Sequence, residues 1–81
     1  MKEIEIIGIS ERHRGVGKNG KPYDFVVVAF KYADERMNGF NCGTCNLSGI
    51  YVDKGLTVGS KVQGVVMYKD YKPHIYCIVG I

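Results

Sequence analysis

An 81-residue chain of 9.0 kDa holds one domain, spanning residues 1–81, and its length excludes catalytic folds assembled from βαβ repeats. Hydrophobic residues at 46% and charged residues at 23% describe a globular chain, and no apolar run approaches the ~20 residues of a membrane helix. The net charge is only +3, yet Arg12, Arg14, Lys18 and Lys21 fall in a window, 12–21, that carries +4 and no acid, leaving −1 for the rest. A cationic patch on a near-neutral body points to an anionic partner at one place. The N-terminal Met1-Lys2-Glu3-Ile4-Glu5 alternates charge with isoleucine and has no signal-peptide character, so a soluble, cytoplasmic protein is expected.

In chain order, Ile-Glu-Ile-Ile-Gly-Ile over 4–9 slips its apolar phase between Ile6 and Ile7, which predicts a strand with a bulge near Gly8. Residues 14–22 carry glycine, asparagine and proline, the chemistry of a turn. Tyr-Asp-Phe-Val-Val-Val-Ala-Phe over 23–30 is β-branched and aromatic, so it reads as a strand buried on both faces for part of its length. The first two strands then form a long hairpin with a basic tip. Residues 31–39 are the place for a short helix or irregular loop. A third strand covers 40–52, interrupted by Gly43 and Gly49, and a connector covers 53–60. A valine-rich strand follows over 61–69. Asp70-Tyr71-Lys72-Pro73 makes a tight turn, and Ile75, Cys77, Val79 and Ile81 give the last strand one apolar face. The expected fold is all-β, a small five-stranded barrel, closed or partly open because closure removes unprotected edges. An oligonucleotide-binding (OB) barrel comes first and an SH3-like barrel second.

Gly15-Val16-Gly17-Lys18-Asn19-Gly20 spells GxGxxG, but a dinucleotide site needs that motif to open a helix, and here Pro22 and a strand follow. The glycines instead let the hairpin bend and approach another backbone closely. Cys42-Gly43-Thr44-Cys45 and His74-Ile75-Tyr76-Cys77 together offer four ligands for zinc, and the first pair has the glycine that a knuckle wants. Against metal, His74 and Cys77 diverge if they share a strand, since positions three apart face opposite ways. Reduced, partly buried cysteines are the simpler reading, and three cysteines make no disulfide framework. The histidines and carboxylates form no acid–base pair, so no enzyme is expected and no cofactor. Six tyrosines and three phenylalanines are interleaved with Lys and Arg. Single-stranded nucleic acid asks for that mixture, because bases stack on rings while cations follow the phosphates.

His13-Arg14-Gly15-Val16-Gly17-Lys18-Asn19-Gly20-Lys21-Pro22-Tyr23 resembles the DNA-binding wing of the filamentous-bacteriophage helix-destabilising proteins, in which basic residues, glycine and valine precede Gly-Lys-Pro-Tyr. Tyr32 and Asp34 are similar to that family's Tyr-x-Asp, and Phe40 falls where a second DNA-facing aromatic stands. Residues 59–69, with the turn and last strand, resemble its dimer-forming hairpin, with Tyr71 near the aromatic tip. The chain departs from the family in lacking charge over 42–45 and 78–81 and in carrying a cysteine pair. The resemblance implies a non-enzymatic, homodimeric OB-fold protein with an extended basic hairpin that coats single-stranded DNA during phage DNA replication. Its nucleic-acid-binding residues would be Arg12, His13, Arg14, Lys18, Lys21, Tyr23, Tyr32, Phe40, Lys69 and Tyr71, with Tyr23, Tyr32 and Phe40 sharing one exposed face. The alternatives are a zinc-binding or protein-interaction module built on Cys42, Cys45, His74 and Cys77, or an RNA-binding OB domain.

Overall fold

β-branched and aromatic residues at period two dominate the chain, and the backbone follows them. The computed structural model describes residues 1–79, in the order β1 (Lys2–Ile9), β2 (His13–Val16), β3 (Pro22–Ala33), β4 (Phe40–Ser48), α1 (Ile50–Asp53), β5 (Lys61–Lys69) and β6 (Lys72–Val79). The molecule is all-β, with six strands in one antiparallel sheet. The long β3 is the spine. β2 and β1 pair with successive parts of one of its edges, and β4 pairs with the other from Phe25↔Ser48 to Ala33↔Phe40. β5 takes the far edge of β1, and β6 closes a hairpin on β5. β4 and β6 pack against each other without a ladder, so the sheet curls but is not closed by hydrogen bonds.

The bulge expected near Gly8 is present: the register shifts between Ile6 and Gly8, and Ile7 turns outward. The sixth strand is β2, residues 13–16, of which the sequence places 14–16 in the turn. The first hairpin arm breaks at Ser10-Glu11-Arg12 and resumes as β2. Ser10 bridges that break, its backbone N–H donating to Val27 O (2.8 Å) and its Oγ accepting from Val27 N (2.9 Å). The strand expected over 40–52 ends at Ser48, and one helical turn, α1, follows where strand was expected. Residues 31–39 are no helix: β3 continues to Ala33 before a loop. Ile81, placed on the apolar face of the last strand, lies outside the described residues.

Alternation along β3 puts Val26, Val28, Phe30 and Tyr32 on the inner face, all essentially inaccessible, against Ile4 and Ile6 of β1. Cys45 and Leu47 of β4, Val62 of β5, Ile75 of β6 and Leu56 from the connector complete one core. The other β3 parity is half-exposed on the outer face rather than buried on both sides. Among the described residues no helix is long and apolar enough to cross a membrane.

Candidate nucleic-acid interface

β2 and the start of β3 extend beyond the core as a wing. Its register is His13↔Phe25, Arg14↔Asp24, Gly15↔Tyr23 and Val16↔Pro22. The tip closes through Gly17 N to Lys21 O and Gly20 N to Gly17 O, both 2.9 Å, with Gly20 at φ 77°. That left-handed position costs glycine nothing and most side chains about 1 kcal/mol. Lys18 and Lys21 sit exposed at this tip.

Strand alternation sorts the wing into two faces. His13, Gly15, Tyr23 and Phe25 share one. The imidazole of His13 stacks on Phe25 (centroids 5.0 Å apart, planes at 20°), and the Tyr23 ring lies tilted to Phe25 at 6.0 Å. Gly15 makes this arrangement possible, because a Cβ there would stand 2.6 Å from Tyr23 Oη. The tyrosine ring therefore lies across a bare stretch of backbone, with 45% of its surface still exposed. Phe25 belongs to this row of rings and was missed from the sequence; its spacing of two from Tyr23 was the available signal.

Arg14 and Asp24 share the opposite face. Arg12, just before β2, donates from Nε to Asp24 Oδ1 (2.7 Å) and from Nη2 to Asp24 Oδ2 (2.6 Å), while Nη1 reaches Asp53 Oδ1 at 2.7 Å. This fork holds the base of the wing against α1, and a Cβ at Gly49 would collide with the Asp24 carboxylate. The hydrogen bonds from Arg12 hold both carboxyls below their ordinary range, and those carboxylates raise the guanidinium in turn. Arg12 is thus committed to an ion-pair network. Arg14 remains 67% exposed, its Nε 3.9 Å from Asp24 Oδ2.

The ring face of the wing runs on into the outer face of the sheet. Val27, Ala29, Lys31 and Ala33 continue it on β3, opposite Asn46, Thr44, Cys42 and Phe40 on β4. The middle of this track carries the small side chains of Ala29, Thr44 and Cys42. Tyr23 and Ala33 are ten residues apart, or ~33 Å at the usual strand rise. Phe40 stands exposed at the far end, with Lys31 Nζ 4.7 Å from its ring centroid. Lys31 also approaches Glu5 Oε1 at 3.9 Å. A depression of about 390 Å³ lies between Ala29, Thr44, Ile7 and Lys72. Lys31 from β3 and Lys72 from the start of β6 therefore bring charge beside the uncharged stretch 42–45. Parity on β3 could have shown the first; the second depends on how β6 folds over.

Tyr32 is not on this face. Nine residues from Tyr23 on one continuous strand, it points the other way and is 1% exposed, so it has no free face for a base. Its hydroxyl meets Tyr68 Oη and accepts from Asn41 Nδ2 (3.3 Å). Burial first, and then the Tyr68 contact, pushes the phenol up to about 12. Asp34, also buried, accepts from Arg36 N (3.0 Å), Arg36 Nη2 (3.0 Å), Tyr68 Oη (3.0 Å) and Asn41 Nδ2 (3.2 Å). Arg36 above all holds that carboxyl far below its usual range. The Tyr-x-Asp pair thus ties the β3–β4 loop to β5.

Lys69 and Tyr71 lie at the β5–β6 turn, at the same end of the molecule as this network. Asp70 and Tyr71 form a two-residue hairpin loop at φ 53° and 65°, and Tyr71 is fully exposed. The wing residues thus gather at one end of β3, and Phe40, Lys69 and Tyr71 stand toward the other. The alternative of a zinc knuckle finds no knuckle turn at Cys42 and Cys45, because both lie within the extended β4, one exposed and one buried. Burial also raises the Cys45 thiol. Among the described residues no group of three or more His, Cys, Asp or Glu is placed to hold a metal ion. Comparison of the chain with protein families, curated proteins and solved structures returns no match.

Proposed function

We propose that this chain is a non-enzymatic single-stranded-DNA-binding protein of OB type, related in design to the phage helix-destabilising proteins and coating DNA during replication in a bacterial cytoplasm. The observation that carries the reading is the continuous outer track: the His13–Phe25–Tyr23 rings, a stretch of small side chains, and Phe40 at the far end. Lys18 and Lys21 flank it at the tip, and Lys31 and Lys72 along the sheet. Flat rings spaced along a cationic path suit unstacked bases and their phosphates, whereas a duplex hides its base faces. Arg14 adds charge from the back of the wing. Arg12 and Tyr32 support the site by holding its parts in place.

The reading includes a homodimer through the β5–β6 hairpin. Met67, Tyr76 and Val79 leave apolar surface exposed there, and a small domain gains by sharing a core. Two-fold pairing would set two tracks antiparallel. The test is equilibrium binding to a single-stranded DNA, the same sequence as RNA, and the duplex, each over a salt series. The DNA strand is expected to bind tightest, with affinity falling as salt rises. Equal binding to duplex, or none to any strand, would overturn the reading; tighter RNA binding would transfer it to RNA.

A further inference from the structure

We propose that the mouth between the β3–β4 loop and the β5–β6 turn takes one unpaired nucleobase, selecting guanine through the Asp70 carboxylate. This rests on the single-strand reading above and adds a base-selective position to a track that is otherwise indifferent to sequence. The mouth is a cavity of about 450 Å³ lined by Arg36, Asn41, Tyr68, Asp70 and Tyr71, within the range of pockets that hold small molecules.

Its walls are flat. The Arg36 guanidinium lies over the Tyr68 ring, 4.3 Å from its centroid, and is held there by its bonds to Asp34, while its side chain stays 65% exposed. A base laid on the outer side of Arg36 would extend an existing stack, and guanidinium planes serve unpaired bases in this way. Tyr71 stands on the other side. A two-residue hairpin loop with both residues at positive φ favours Asp-Gly. Here the second position is tyrosine, in a conformation that tyrosine rarely adopts and with its ring wholly in solvent. Within one subunit nothing packs on that ring, which leaves it free to face a ligand.

The charges decide which part of a nucleotide enters. Arg36 is already paired with Asp34, and the Asp70 carboxylate makes no hydrogen bond or ion pair among the described residues, so it is left to accept from a base, while Lys69 and Lys72, which flank the turn, face the adjoining phosphates. A carboxylate accepts two parallel N–H bonds. Guanine is the DNA base that offers two adjacent donors, its ring N1–H and its amino group, on one edge.

The test compares the intact protein's affinity for a thymine-only single-stranded oligonucleotide with that for the same strand carrying one guanine. Wild type is expected to prefer the guanine strand about tenfold. Asp70→Asn, which replaces one acceptor with a donor, should abolish the preference. Tyr71→Gly should do the same while raising thermal stability, because it relieves the left-handed position. Lys18→Ala should weaken both strands equally and keep the preference. Equal affinity of wild type for the two strands, or a preference that survives both variants, overturns the pocket while leaving the single-strand reading intact. If neither strand binds, that reading fails, and NMR titration with deoxyguanosine and thymidine alone decides the pocket. Shifts of the Asn41 and Arg36 side-chain resonances with deoxyguanosine only would uphold it; no shifts would overturn it.

Discussion

Tyr23 and Tyr32 show how far one residue's position fixes its work. Both sit on β3, but an odd separation sends Tyr23 outward over Gly15 and Tyr32 into the core. Replacing Tyr23 by Ala should cost roughly 1–3 kcal/mol of single-strand affinity while leaving the salt slope unchanged, since a stacking surface is lost and no charge. Lys18→Ala and Lys21→Ala should each flatten that slope by up to ~0.7, as fits a phosphate contact. Arg12→Ala should leave the slope near wild type and lower thermal stability instead, because its charge is spent on Asp24 and Asp53. Asp34 gives the pH dependence. Its carboxyl is held low in the folded state, so its stabilisation is complete at neutral pH and is lost as pH falls below the ordinary carboxylate value near ~4. Thermal melts from pH 7 to 2 should show this fall, and Asp34→Asn should flatten it. The buried Tyr32 phenol acts at the other end, its contribution fading as pH rises from 10.0 toward about 12. The parity that separates the two tyrosines was readable in the sequence, but only once the strand is allowed to run past residue 30 to Ala33. The partners of Arg12 and Asp34 were not readable, since Asp53 and Tyr68 are 41 and 34 residues away and meet them only in the folded chain.

At the level of elements, the wing was the most legible part: turn residues at 14–22 and a basic tip announce a hairpin, and the bulge at Gly8 follows from the slipped isoleucines. β4 was harder. Gly43 and the cysteine pair suggest a break or a knuckle, yet β3 offers a partner along the whole stretch, and ladder formation prevails over weak local propensity. The helical turn at Ile50–Asp53 was hidden for a related reason. Its apolar residues read as strand, but Gly49 must pass tightly beside the Asp24 carboxylate, and the chain turns there. Two measurements follow from this arrangement. Gly15→Ala should displace the Tyr23 ring and weaken single-strand binding nearly as much as Tyr23→Ala, with the fold intact by circular dichroism. Cys42 should react with a thiol reagent in the native protein, whereas Cys45, buried and with a raised thiol, should react only on unfolding.

For the whole molecule, the account joins a thin inner core to a long outer track. The core draws on nearly every strand, so Phe30→Ala should cost ~3–5 kcal/mol, a large part of what a domain this small has to spare. The track uses the parity of β3 that the core leaves free, which is why binding-site variants at Tyr23 or Phe40 should leave the fold standing. Amide chemical-shift mapping during titration with a single-stranded oligonucleotide tests this division most directly. The account predicts shifts concentrated on the wing from residue 13 to 25 and along the outer track at Val27, Lys31, Cys42, Thr44 and Phe40, with the amides of the β1–β5 ladder largely unmoved. Shifts confined to the β1–β5 ladder and the connector, with the wing silent, would contradict it.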